Sequence, residues 1–99
     1  MTKYIIRVTY TDGDHEGKEY YLNKGGYVID RLSSVWKEDS YTLSGCRRVC
    51  KKKEEQNTAE VIFERRERER RIKDGKTVSK YPIYHMQHYE PFAIETVDE

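Results

Sequence analysis

The sequence lacks a long hydrophobic run, and no stretch approaches the roughly 18 apolar residues that a membrane-spanning helix requires. Met1 is followed almost at once by a strand-like pattern, so no secretory signal is expected. Hydrophobic residues make up 35% of the chain and charged residues 37%, which leaves little material for a core. These features favour one small cytoplasmic domain over residues 1–99, with no membrane partner.

Cysteine is scarce, since Cys46 and Cys50 are the only two. They lie about 6 Å apart on a helix or about 13 Å apart on a strand. Neither arrangement suits a disulfide, and a reducing compartment such as the cytoplasm is expected. With His85 and His88 they suggest zinc, but the C-x3-C and H-x2-H spacings differ from common zinc-finger patterns. Core cysteines and surface histidines, with no metal, are the expectation.

Catalytic and cofactor motifs are also missing. The chain contains no phosphate-binding loop, dinucleotide fingerprint or nucleophile elbow. The pair Gly25-Gly26 is too short to enclose a phosphate. We therefore expect a protein that is not an enzyme, uses no cofactor and works by binding.

Charge is present in abundance but is unevenly distributed. The net charge is +1, yet residues 46–73 contain eleven Lys or Arg against six Glu. Residues 90–99 contain four acidic residues and no basic ones, and we expect this acidic tail to be loosely held. The near-zero total disfavours both a dedicated nucleic-acid-binding protein and an acidic mimic of DNA. We instead expect a surface on which local positive and negative regions select the partner by charge.

The N-terminal half predicts a small antiparallel sheet. Residues 3–11 alternate between apolar or aromatic and polar types, with Ile5 as the one exception. Polar turn residues follow, and residues 18–22 predict the return strand of a hairpin. Residues 27–36 are expected to form a bent, partly extended segment that brings Trp36 back to the sheet.

A helix is predicted at about residues 42–55. Ser40 and Thr42 are candidate N-terminal caps. Apolar residues then recur at helical spacing, at Leu43, Cys46, Val49 and Cys50, which would pack the helix on the sheet. Gly45 inside the helix is unfavourable.

Residues 57–73 are compatible with two structures. Asn57 and Glu60 could form a helical capping box, Glu and Arg recur at i,i+4 spacing, and Gly75 could end a helix. However, the segment lacks an apolar stripe, and Asp74-Gly75 is a strong hairpin signal. We favour a long C-terminal β-hairpin, in which the second arm, 77–89, is an edge strand.

This charged run is the candidate binding surface. The hairpin would place its arginines opposite tyrosines, and Arg and Tyr are enriched at binding hot spots. Charged residues that protect a strand edge from aggregation would explain the same pattern. The predicted partner-binding residues are Glu64, Arg65, Arg66, Glu67, Arg68, Glu69, Arg70, Arg71, Tyr81 and Tyr84.

The strings KYIIRVTY, YYLNKGGYVID and VWKEDSYTLSGCRRVCKKKEEQ, within about the first 60 residues, resemble small proteins of phages and mobile elements. Many such proteins that have been studied inhibit host defence enzymes, and they include anti-CRISPR proteins. The resemblance implies an inhibitor in the cytoplasm of a host bacterium, docked on a nuclease such as a Cas effector and blocking nucleic-acid access. It assigns no residue roles.

The sequence thus predicts an α+β protein with a small antiparallel sheet, one packed helix and a long C-terminal hairpin. The favoured function is docking on a host protein. Two alternatives are a small nucleic-acid-binding protein that uses the basic region 47–71, and a homodimer or other homo-oligomer built through the edge strand 77–89.

Overall fold

Three antiparallel strands form the sheet, in the order β2-β1-β3. The computed structural model describes residues 2–79 and 82–97. Strand β1 spans Thr2–Tyr10, β2 spans Glu19–Leu22 and β3 spans Gln87–Glu95. The hairpin of β1 and β2 agrees with the prediction, and one helix completes the domain. The α+β class is confirmed.

Both faces of the sheet are buried, which explains the break in the alternation of β1. On one face Ile6 and Val8 pack with Cys46 and Cys50 of the helix. On the other face Ile5 is fully buried in a second cluster that includes Val35 and Ile94. Ile5 therefore belongs to a second core layer, because successive side chains of a strand point to opposite faces.

The segment between β2 and the helix covers that second face. It contains two single-turn 3-10 helices, Leu32–Ser34 and Lys37–Asp39, joined by extended residues. Trp36 pairs with Val97 in a parallel bridge. The segment is bent and partly extended, as predicted, and Trp36 meets the chain just past the end of β3 rather than a strand of the sheet.

Helix α1 spans Leu43–Lys73, and the predicted end at about residue 55 is wrong. Its start agrees with the sequence, since the Thr42 side chain accepts a hydrogen bond from the Gly45 N–H at 3.3 Å. With 31 residues the helix is about 45 Å long. It packs on the sheet through its first half and extends well past it.

The long C-terminal hairpin is absent, because residues 58–73 are helical. Asp74-Gly75 ends the helix instead of turning a hairpin. Gly75 has φ +74°, and the N–H groups of Gly75 and Lys76 donate to the carbonyls of Ile72 and Arg71. This paired arrangement is the glycine-terminated helix end, which requires the same positive φ as a hairpin turn. The dipeptide therefore did not distinguish the two structures.

The C-terminal segment differs from the prediction in two further respects. Residues 77–79 and 82–86 contain no strand, and the edge strand lies at Gln87–Glu95. Residues 90–95, expected in a loosely held tail, are paired with β1 along their whole length. The pairing is possible because β3 is an edge strand, where Pro91 needs no hydrogen-bond partner on its outer side.

The molecule is elongated, with principal extents of 58 × 23 × 19 Å. The long dimension reflects the distal half of α1, here residues 58–73, beyond the sheet. Residues 82–86 lie beside this half before the chain enters β3, as the hydrogen bonds described below show.

Candidate binding surface on helix α1

Asn57 joins the helix to the open edge of β3. Its side-chain amide donates to the carbonyl of His85 and accepts from the N–H of Gln87, both at 2.9 Å. The residue is buried, with 6% of its surface exposed. One amide side chain thus makes the pair of bonds that a neighbouring strand would otherwise supply.

Two glutamates extend this contact along the helix. Glu54 accepts from the N–H of Tyr89 at 2.8 Å and lies 2.5 Å from Nδ1 of His88. Glu64 accepts from the N–H groups of Ile83 and Tyr84, at 2.8 and 3.1 Å. Helix side chains therefore satisfy backbone groups of residues 83–89 that β1 does not pair.

This polar packing explains why the helix showed no apolar stripe. The residues that face the rest of the molecule include Asn57 and Val61, together with the glutamates just described. Carboxylates and an amide replace aliphatic groups because the partner is backbone rather than another apolar face. Hydrophobic periodicity detects contacts between apolar faces, and it does not detect contacts between polar side chains and backbone.

Beyond the sheet, α1 and the returning chain form a groove with a volume of about 300 Å³. Five predicted site residues contribute to it, namely Glu64, Glu67, Arg68, Arg71 and Tyr84. Phe63, Val78, Ser79 and Ile83 complete the lining. We call the residues Phe63, Glu67, Arg68, Arg71, Ile83 and Tyr84 the distal surface.

The distal surface is unusually apolar for an exposed region. Phe63 is 67% exposed, Ile83 78% and Tyr84 43%. Ile72 on the same half of the helix is 61% exposed. Large apolar side chains grouped at one end of a small protein, with charged neighbours, are typical of a contact site for another molecule.

The other predicted site residues point elsewhere. Arg65 forms an ion pair with Asp12 at 3.0 Å, so it braces the helix against the β1–β2 turn. Arg66, Glu69 and Arg70 lie on exposed positions outside the groove, and Arg70 also contacts Glu67 at 2.7 Å. The predicted cross-strand pairing of arginines with tyrosines is wrong, because the arginines are helical. Tyr81 lies outside the described residues.

Sequence reasoning missed Phe63 and Ile83 as candidate contact residues. Phe63 lies in the segment 57–73 that was expected to form one arm of a hairpin. A helical wheel places it away from the inner positions Asn57 and Val61, and this was the available signal. Ile83 carries no comparable signal in the sequence.

The cysteines and histidines do not converge. Cys46 and Cys50 are buried between helix and sheet, and the Cys46 thiol donates to the carbonyl of Ile5 at 3.4 Å. The hydrogen bond with Cys46 and burial raise the pKa of the Cys50 thiol, which disfavours thiolate chemistry there. His85 lies beside Asp12. Among residues 2–79 and 82–97, no three acidic, Cys or His side chains form a group that could hold a metal.

The chain matches no protein-family model, no curated protein and no solved structure. In the part of the chain that the structure describes, none of the helices is both long and apolar enough to cross a membrane. The function is therefore inferred from the residues and the geometry of the distal surface.

Proposed function

We propose that this protein is a non-enzymatic binding protein that docks on another protein through its distal surface. The observation that carries the proposal is the combination of Phe63, Arg68 and Arg71 on the projecting half of α1 with Ile83 and Tyr84 on the chain beside it. Aromatic residues and arginine contribute disproportionately to protein interfaces, where an apolar centre is surrounded by polar groups.

A protein partner fits this surface better than nucleic acid. Glu64 and Glu67 share the groove with Arg68 and Arg71, so both signs of charge are present. Phosphate groups would meet repulsion from the two carboxylates. A protein surface can supply cations for the glutamates as well as acidic or aromatic groups for the arginines.

We further propose that the partner is a host defence nuclease, such as a Cas effector, whose access to nucleic acid is blocked. This partner class rests on the resemblance of the first 60 or so residues to small phage and mobile-element proteins. The elongated shape supports blocking, since a 58 Å molecule can occupy a channel that nucleic acid would otherwise enter.

Assembly through the proposed edge strand 77–89 has less support. The outer backbone groups of His85, Gln87 and Tyr89 are already bound by Asn57 and Glu54. A second copy could not pair there without displacing the helix side chains.

Site-specific photo-crosslinking tests the proposal. A photoreactive phenylalanine at Phe63 is compared with the same group at Tyr27, which is 73% exposed and does not line the distal groove. In a bacterium with an active Cas nuclease, we expect a covalent adduct with that nuclease at residue 63 and none at residue 27.

The purified protein should then inhibit cleavage of DNA by that nuclease. Adducts of equal yield at both positions would show that contact is nonspecific. An adduct of residue 63 with a protein that does not act on nucleic acid would support the docking surface and overturn the proposed partner class.

A further inference from the structure

A second concave region lies at the opposite end of α1, where the helix begins. It has a volume of about 840 Å³, within the range of ligand sites, which is about 300–1,000 Å³. Its walls come from β1, from the segment before the helix and from the first turns of α1. The lining residues are Lys3, Lys24, Lys37, Glu38, Ser40, Tyr41, Thr42, Gly45, Arg48 and Val49.

Positive charge dominates this groove. Four cations, Lys3, Lys24, Lys37 and Arg48, share it with one carboxylate, Glu38. None of the four forms an ion pair with a carboxylate among the described residues. Four cations from separate parts of the chain repel one another when they converge, and a bound anion removes that repulsion.

The polar groups at the bottom of the groove are held in place by the fold. The Ser40 hydroxyl donates to the carbonyl of Lys37 at 2.6 Å, and the Tyr41 hydroxyl donates to the carbonyl of Lys24 at 3.3 Å. Tyr41 is also bonded through its backbone to Tyr4 of β1 in both directions, at 2.7 and 3.0 Å. These bonds fix the backbone from which two of the lysines project.

Gly45 lines the groove from the first turn of α1. Glycine inside a helix costs about 1 kcal/mol relative to alanine, yet this one lies in the first turn of α1 and has an ordinary helical φ. A Cβ at this position would lie 3.1 Å from Oγ1 of Thr42, the capping hydroxyl. The Gly45 N–H donates to the Thr42 hydroxyl, whereas the N–H groups of Leu43 and Ser44 have no acceptor within the helix, and such groups favour anions.

We propose that this groove binds phosphate groups carried by a nucleotide or by a nucleic-acid strand. The distribution of charge favours phosphate over a carboxylate ligand, because several cations surround one space and a phosphate ester accepts hydrogen bonds in several directions. The groove lies at the start of α1 and the distal surface lies on its second half, so the two sites are spatially separate.

The test is a titration of the uniformly ¹⁵N-labelled full chain, monitored by NMR at low salt. Three probes are used in parallel: inorganic phosphate, ATP and a ten-nucleotide single-stranded RNA. We expect shifts of the Leu43, Ser44 and Gly45 amides. Saturation by RNA at a concentration at least tenfold lower than by ATP identifies a strand as the ligand, whereas equal or tighter binding of ATP identifies a nucleotide.

A triple variant, Lys24→Gln, Lys37→Gln and Arg48→Gln, should weaken binding of the preferred probe at least tenfold. Its matched control changes three exposed cations outside the groove, Lys18→Gln, Arg31→Gln and Lys76→Gln, and should bind as the parent does. For a strand with three phosphates in the groove, affinity should fall about 20-fold between 50 and 200 mM salt.

Two results would overturn the proposal. The first is the absence of amide shifts at residues 43–45 with all three probes. The second is equal weakening in the two triple variants, which would mean attraction to positive charge in general. Photo-crosslinking at Phe63 is read out separately, so failure of the groove and failure of the proposed docking surface are distinguishable.

Discussion

Asn57 shows how much a single side chain can contribute to this fold. It is buried, and it bonds the backbone of His85 and of Gln87, where the chain enters β3. Asn57→Ala would leave the Gln87 N–H and the His85 carbonyl without these partners. Each unsatisfied buried group costs about 1–3 kcal/mol, so we expect a loss of about 3 kcal/mol in the free energy of unfolding.

Urea denaturation measures this loss. Gln56→Ala is the matched control, because Gln56 is exposed and bonds the Glu60 side chain, one turn along the same helix. It should change the free energy of unfolding by less than about 0.5 kcal/mol. Equal effects of the two substitutions would mean that the Asn57 bonds do not hold β3.

The free energy of unfolding should depend on pH in the alkaline range because of Tyr89 and Tyr20. Burial raises the pKa of Tyr89 and of Tyr20 above the ordinary value of 10.0. The folded state therefore retains these protons to higher pH than the unfolded chain does. Their contribution to stability is complete below pH 10 and decreases as pH rises further.

We accordingly expect the free energy of unfolding to decrease as pH rises above about 10. Tyr89→Phe should make the decrease smaller, whereas Tyr27→Phe, at an exposed position, should leave it unchanged. Urea titrations at several pH values measure the slopes. An unchanged slope in the Tyr89 variant would contradict this assignment.

At the scale of elements, the predicted and observed structures agree where apolar side chains define a face. The β1–β2 hairpin and the start of α1 follow from alternation, turn residues and the Thr42 cap. They disagree where polar groups make the contacts. Nothing in the pattern of residues 57–73 shows that Asn57 and Glu64 bind backbone 19 or more residues away.

The same reason limited prediction of the candidate site. The charged residues were identifiable from composition, and four of them do line one groove. The arrangement of these residues could not be predicted, because it depends on α1 continuing through residues 64–71. The decisive residue was Gly75, whose positive φ ends a helix as readily as it turns a hairpin.

Glu64 is the element-scale test of the distal groove, since it alone binds the N–H groups of Ile83 and Tyr84. Glu64→Ala should release this chain from the helix and increase hydrogen exchange of those two amides at least tenfold, with the sheet unaffected. Glu69→Ala, on an exposed position of the same helix, is the control and should change neither amide. Unaltered exchange in the Glu64 variant would contradict the contact.

At the scale of the whole molecule, the projecting helix sets the dimensions. The Cα radius of gyration is 16.8 Å, against about 13 Å for a compact domain of this length. Small-angle scattering of the monomer should give a radius of gyration of about 17 Å or slightly more, after light scattering has established the mass. A value near 13 Å would mean that the distal half of α1 folds back on the sheet.

The central claim is that the distal surface is where this protein binds its protein partner. Isothermal titration calorimetry tests this claim directly. The partner identified by crosslinking is titrated with the parent chain and with the triple variant Phe63→Ala, Arg68→Ala and Arg71→Ala. Each hot-spot residue contributes about 2 kcal/mol or more, so we expect affinity to fall at least about 100-fold while the circular dichroism spectrum is retained. Parent-like affinity in a folded triple variant would contradict the claim.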